Sequence, residues 1–340
     1  MLRMVPMVNK FATLACVCLG LAGAGCSSSS DASSTGGKPG TVGSDAGGSL
    51  APTGAGGASS TSASVDARPC GASTLANGTF DFVFEGATYK YLVHIPPSYD
   101  GTKRTPLVLN WHGLTSNAAQ QEFFSNMDPV ADQDGFLLVY PESPDASWTA
   151  GKCCPKVPTR NDAGFARALV EKISTDACVD AKRIYSTGMS NGGFMSHRLG
   201  CEQADLFAAI APVAGKVGIP DCNPSRPMPV LEFHGTADAL VAYDTGVLSG
   251  ENPPATVPET AANWAKRDGC KTGPEQTAHN GTVTCQTWSG CDAGVTVTLC
   301  TAEGEGHCWP GQSVCPYGAA TTDMDATAEI AKFFKKFALP

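Results

Sequence analysis

The chain has no basic excess, few charges for its length, hardly any long apolar run and no CxxC pair. Charged residues make up 16% of 340 positions, with 23 Lys and Arg against 32 Asp and Glu, a formal charge of −9. That balance argues against nucleic-acid binding through basic patches. Only one stretch, near the N-terminus, is apolar enough to meet a membrane, which excludes a multi-span membrane protein. The lack of CxxC spacing, with Cys153 and Cys154 adjacent, suits zinc poorly, so no metal site is expected. No internal repeat is visible. What is present is a 42% hydrophobic share, enough for a substantial core, which excludes full disorder. Fifteen cysteines point to an oxidising compartment.

Residues 1–25 read as an export signal. Arg3 and Lys10 precede the short apolar run FATLACVCLGLAGAG, which is too short for a comfortable span and ends in small residues before Cys26. This arrangement resembles a bacterial lipoprotein signal, with cleavage before Cys26 and lipid on its sulfur. Gly23 stands where an apolar residue is usual, so ordinary signal cleavage near Cys26 is the alternative. Residues 26–67 are Ser, Gly, Ala and Thr with a few Asp. They carry too little apolar surface to offset ordering entropy and read as a flexible tether. Loss of the signal leaves 21 basic against 32 acidic residues, a charge of −11. Without Cys16, Cys18 and Cys26, twelve cysteines remain, an even number as disulfides require, though connectivity is not legible.

Residues 68–340 read as one domain of α/β class. Phe80 to Phe84 and Tyr89 to Ile95 alternate and suggest an antiparallel opening pair. Strands follow at 106–110, 136–140, 183–187, 207–213, 229–234 and 295–301. Helices follow at 161–175, 191–203, 259–268 and 325–337. Alternation of short apolar strands with helices implies a mostly parallel central sheet covered on both faces.

The sharpest motif is Gly188-Met189-Ser190-Asn191-Gly192-Gly193, between a strand and a helix. The turn is tight, so glycines flank the serine, and Ser190 projects from the carboxyl end of the sheet as a candidate nucleophile. The Asn191 backbone N–H, at the helix start, can face a developing oxyanion. The second donor belongs to the loop His112-Gly113-Leu114-Thr115 after an early strand, with the Leu114 N–H chosen. A serine needs a base and the base an orienting acid, in chain order Ser, acid, His. Asp238, just past the strand at 229–234, is the chosen acid; Asp221 and Asp244 are the rivals. Of six histidines only His279 and His307 follow Asp238. His279 reads as part of an exposed turn, and His307, in GEGHCWPG, as the base. His112, Gly113 and Trp309 are read as lining the site. His234 and His112, each at a strand end before a glycine, are read as buried loop-fixing or site-lining residues, and His197 as structural.

The segments WHGLTSNA, DGFLLVYPE, CCPKVPTRNDAGFARALV, IYSTGMSNGGFMSHRLGCE, FAAIAPVAG, FHGTADALVAYDTG and GEGHCWPG occur in family order. Over roughly 70–340 the chain resembles secreted esterases of the α/β-hydrolase fold: feruloyl esterases and polyhydroxybutyrate depolymerases. The resemblance implies a disulfide-stabilised α/β-hydrolase with Ser190 as nucleophile, Asp238 as acid and His307 as base. Cys153-Cys154 resembles the group's double-cysteine loop. Asn161-Asp162-Ala163 stands where two acids and Val are common, which questions a substrate role for that loop. Cys308 is unusual for the group, and nearby Cys315 is its candidate partner.

The implied chemistry is serine ester hydrolysis through an acyl-enzyme, with no cofactor. Substrates are plant cell-wall aryl or acetyl esters, or alternatively polyester, with loops 141–160 and 239–260 setting the pocket. A non-enzymatic surface binding protein is the reading from another class. The expected protein is exported, extracellular or at the cell surface, and monomeric. It meets no nucleic acid, and a membrane only through Cys26.

Overall fold

The computed structural model describes residues 70–340, apart from 72 and 155–158. The expectations for the signal, the tether and Cys26 lie outside the described residues.

The chain opens with two antiparallel strands, β1 (Gly78–Phe84) and β2 (Ala87–His94), in the expected place. β3 (Thr105–Trp111) then leads to two short helices that the sequence reading missed, α1 (Ala118–Ser125) and α2 (Asp128–Asp134). Asn117 caps α1 by accepting from the Gln120 N–H, and Pro129 opens α2. β4 (Leu137–Glu142) precedes α3 (Asp162–Asp176), which Asn161 caps through the Gly164 N–H as its sequence predicts. β5 (Val179–Met189) feeds α4 (Asn191–Glu202) across Ser190 alone. β6 (Ala209–Val213), β7 (Val230–Gly235) and α5 (Val257–Arg267) follow. A capping box of Thr256 and Glu259 starts α5 two residues earlier than the apolar pattern does. The chain ends with the hairpin β8 (Thr272–Asn280) and β9 (Val283–Ser289), then β10 (Val297–Ala302) and α6 (Ala326–Phe334).

All these strands form one sheet, in the order β1-β2-β4-β3-β5-β6-β7-β10-β9-β8. The centre, from β4 to β10, is parallel. Both margins are antiparallel. The right-hand hairpin was not expected. Every residue of β8 is exposed, so the period-2 apolar signal is missing there. His279 lies within β8, paired with Thr284, and the turn falls on Gly281-Thr282 beyond it. The expected turn at His279 is thus corrected to a strand end, still exposed.

Alternate side chains of the central strands feed the two faces of the sheet. Val108, Leu138, Tyr140 and Tyr185 point to α1, α2 and α6, while Leu107, Leu109, Val139 and Ile184 point to α3 and α4. Trp264 of α5 packs with Ile210, Val230 and Val297 on the second face. Phe165 of α3 is fully buried and stacks on Tyr89 of β2, 3.8 Å between ring centres.

Six disulfides join all twelve cysteines of the described residues: 70–178, 153–154, 201–222, 270–291, 285–300 and 308–315. The expected pairing of Cys308 with Cys315 is present. Cys70–Cys178 ties the first described residue to the start of β5 across 108 positions.

Candidate active site

The register of the parallel strands brings the candidate residues to one edge. Trp111 is level with Gly188, Met189 with Val213, and Gly235 with Ala302. Ser190, the 236–241 loop and the 303–307 loop therefore all leave the carboxyl ends of neighbouring strands, where active residues of open sheets gather.

Ser190 has φ 58° and ψ −123°, outside the comfortable regions for a side-chain-bearing residue. Its N–H donates to Val213 O (2.9 Å), and its C=O accepts from the Phe194 N–H (2.9 Å), so sheet and helix hold the turn from both sides. Two glycines make the turn possible by close approach. A methyl group at Gly188 would lie 2.6 Å from Trp111 O, and one at Gly192 would lie 2.0 Å from it. Side chains are thus excluded where α4 presses against the end of β3. A methyl at Gly113 would come within 3.3 Å of Ser190 Cβ, which places the 112–115 loop directly beside the serine.

His112 fixes that loop from within, the first of its two expected roles, and does not line the site: it is fully buried, Nδ1 donates to Gly113 O (2.7 Å) and Nε2 accepts from the Ser143 N–H (3.2 Å). Burial pulls its imidazole down to about 4, so it is neutral at pH 7. Leu114 is half-exposed beside Gly113. The sequence points to Asn191 for its backbone N–H alone. Its buried side chain also clamps Trp148, accepting from the Trp148 N–H (2.6 Å) and donating to Trp148 O (3.1 Å). The Trp148 indole N–H donates to His112 O (3.0 Å).

Asp162 is fully buried at the start of α3 and acts as a peg rather than a surface group. It accepts from Tyr89 Oη (2.6 Å), the Thr149 N–H (2.6 Å) and Arg160 Nε (3.2 Å). Arg160 in turn reaches Ser147 O and Asp145. Buried Asp162 and half-buried Arg160 thus hold residues 145, 147 and 149 against the start of α3.

His307 and Asp238 meet as expected, with Nδ1 donating to Oδ2 at 2.7 Å and both residues buried. The other Asp238 oxygen accepts from the Leu240 (2.9 Å) and Val241 (2.8 Å) N–H groups. Burial alone would raise the Asp238 carboxyl, but hydrogen bonds and charge from His234 and His307 hold it well below the ordinary range. Asp221, Asp244 and His279 are exposed and take no part in this contact. The two loops also fasten to each other: Ala237 N–H donates to Glu305 O, and Thr236 N–H to Ala302 O. On its far side the His307 N–H donates to Tyr317 O (3.0 Å), and Cys308–Cys315 closes the short loop between them. Trp309, expected to line the site, is instead buried in the core and donates to Thr327 Oγ1 of α6.

Among the described residues no group of three or more His, Cys, Asp or Glu side chains is arranged to hold a metal ion.

The family described as Esterase PHB depolymerase matches residues 89–254. Feruloyl esterase B of Piromyces equi is 36% identical over 233 residues, covering 64% of this chain and 42% of its own length. NocK of Nocardia uniformis subsp. tsuyamanensis, described as an esterase, is 32% identical over 296 residues, covering 79% of this chain and 85% of its own. The bifunctional acetylxylan esterase/xylanase XynS20E of Neocallimastix patriciarum is 25% identical over 220 residues, 63% of this chain and 30% of its own. The chain thus spans less than half of the first and third of these relatives. The solved acetyl xylan esterase from Aspergillus awamori superposes with a TM-score of 0.54 at 17% identity, over 76% of this chain and 99% of that one. Sheet order, crossover helices and strand-end loops make the fold an α/β-hydrolase. Within that fold the chain belongs to the esterase PHB depolymerase family.

Proposed function

We propose that this chain hydrolyses carboxylic esters by acyl transfer through Ser190, His307 and Asp238. The contact between His307 Nδ1 and Asp238 Oδ2, on the sheet edge that carries the Ser190 turn, carries the reading. Because Nδ1 donates to a carboxylate, the neutral ring keeps its lone pair on Nε2. His307 Nε2 takes the Ser190 proton as Oγ attacks the ester carbonyl carbon. The Asn191 and Leu114 N–H groups steady the oxyanion. The alcohol leaves with the proton from His307, and water then releases the acid by the reverse route. Asp238 keeps the tautomer and stabilises the imidazolium.

The favoured substrates are aryl or acetyl esters of plant cell-wall polymers, in line with the names of the feruloyl and acetylxylan esterase relatives. A polyester is the second reading. Half-exposed Leu114, Leu240 and Tyr317 follow or flank Gly113, Asp238 and His307, and apolar side chains there suit an apolar chain. Export, with the disulfides formed outside the cytosol and Cys26 as a lipid anchor, completes the proposal.

The test is release of ferulate from methyl ferulate beside clearing of a polyhydroxybutyrate suspension, each with Ser190→Ala. Ser190→Ala is expected to lower hydrolysis by about 10⁴-fold or more with the melting temperature unchanged. A folded Ser190→Ala chain that still hydrolyses would sink the assignment.

A further inference from the structure

Behind Asp238, on the side away from His307, lies a group of buried ionisable side chains that the mechanism above does not use. His234, at the end of β7, is fully enclosed. Its Nε2 lies 2.8 Å from Val241 O and 3.4 Å from Asp238 Oδ2. A carbonyl oxygen only accepts, so Nε2 carries a proton. Its Nδ1 faces Glu232 Oε1 at 3.5 Å, and Glu232 is likewise fully buried. A bare imidazole lone pair against a bare carboxylate would place two acceptors face to face in a dry interior. One proton must therefore sit between them. The other Glu232 oxygen faces His197 Nε2 at 3.7 Å. His197 Nδ1 accepts from the Trp264 indole N–H (3.1 Å), which puts the His197 proton on Nε2, pointing at Glu232. Neither Glu232 oxygen has a closer hydrogen-bonding partner.

We infer that Glu232 and His234 form a second acid–imidazole pair, buried behind Asp238, which positions Asp238 and places a positive charge at its back. His234 holds the 238–241 turn through Val241 O and meets the Asp238 oxygen that receives His307. It is a positioning residue, acting on substrate through Asp238 and His307. The inference rests on the proposed role of those two residues.

Burial pushes the Glu232 carboxyl up, so the charge on the ring depends on the stronger pull at His234. Burial pulls the His234 imidazole down, but its contacts with Asp238 and Glu232 outweigh burial and hold it at about 9. Other charges face the pair from each neighbouring segment. Lys216, before the 218–229 loop, holds its ammonium on Thr245 O. Glu251 is paired with Arg267 of α5 at 2.6 Å. Glu305 approaches from the His307 loop, and the Tyr243 ring lies edge-on to His234.

Two measurements test the pair. The first needs no activity: imidazole nitrogen NMR of the ¹⁵N-labelled full chain. His234 is expected to keep protons on both nitrogens through pH 8. A singly protonated His234 at pH 7 overturns the inference. The second is the pH profile of kcat/KM on a p-nitrophenyl ester, for variants shown to be folded. His234→Gln keeps an N–H near the Nε2 position and removes the charge. Loss of a positive charge beside the acid–base pair is expected to move the acid limb up by about one pH unit. Glu232→Gln is expected to shift it the same way but less, since the lost carboxylate charge acts in the opposite sense from farther off. A wild-type limb in folded His234→Gln, or a shift to lower pH, overturns the inference. If a variant fails to fold, the NMR result decides. Loss of the Ser190 assignment would show as a still-active Ser190→Ala chain, whatever His234 does.

Discussion

Ser190 is held in place by backbone contacts, while Asp238 is held among ionisable side chains. Around the serine, position comes from backbone contact: Trp111 O against the space beside Gly188 and Gly192, and Val213 O against the Ser190 N–H. Around the acid and base it comes from ionisable side chains: His307 donates to Asp238 Oδ2, and His234 Nε2 lies 3.4 Å from the same oxygen. The first kind of support tolerates no added atom. The second tolerates shape changes but answers to charge and to pH. Damage to the serine side should therefore appear as lost fit, and damage to the acid side as changed titration.

The largest effect that would break this contrast is at Asp238. Asp238→Asn keeps the shape and removes the charge, and kcat is expected to fall about 10⁴-fold. A loss under tenfold would mean that charge matters little there. Strong reductant comes next. Opening Cys70–Cys178 frees a loop of 108 positions, worth about 5 kcal/mol in the chain-entropy account. Thermal melting with and without reductant checks it, and an unchanged melting temperature would contradict the six bridges. Gly192→Ala should destabilise by about 1–3 kcal/mol and lower kcat/KM, because the methyl meets Trp111 O at 2.0 Å. Denaturant unfolding reads the first effect, and a variant as stable as the parent would show that α4 can slide.

The smallest effect sharpens the acid side. Glu305 is buried under the His307 loop, and burial raises its carboxyl to about 7 from an ordinary 4.5, against a hydrogen bond from the Thr321 N–H. The folded state binds this proton more tightly than the unfolded chain. The stability it contributes is complete below pH 4.5 and is lost as pH rises to about 7. Glu305→Gln should flatten that decline and melt higher than the parent at pH 8. Parallel melting curves from pH 5 to 8 would refute it.

Much of the central sheet was legible because its constraints are local. GMSNGG announces its own turn, and the Asn161 cap and the apolar stripe of α3 lie within one helix. The Ser, Asp, His chain order also sufficed to find the contact of Asp238 with His307. What escaped depends on partners far apart in the chain. Trp309 follows the candidate base, so adjacency suggested a rim, but Thr327 and the core claim its ring. Asp162 looked like a departure from a substrate loop. Its role follows from Tyr89, Thr149 and Arg160, which no spacing rule connects. Glu232 sits in the buried strand VLEFHG as one acid among apolar residues, and that was the available signal for the pair with His234. The β8–β9 hairpin escaped because a strand exposed on both faces carries no alternation.

That hairpin leaves the sheet with an outer edge made by β8, Thr272–Asn280. An unpaired strand edge invites a second molecule to continue the ladder. Here Pro274 lacks a backbone N–H, Glu275 brings a negative charge, and the register slips twice along the pairing with β9. A newcomer strand would meet an interrupted row of donors and an irregular outline. Among the described strands, the one whose residues are all exposed thus forms an edge that resists fibre-like growth.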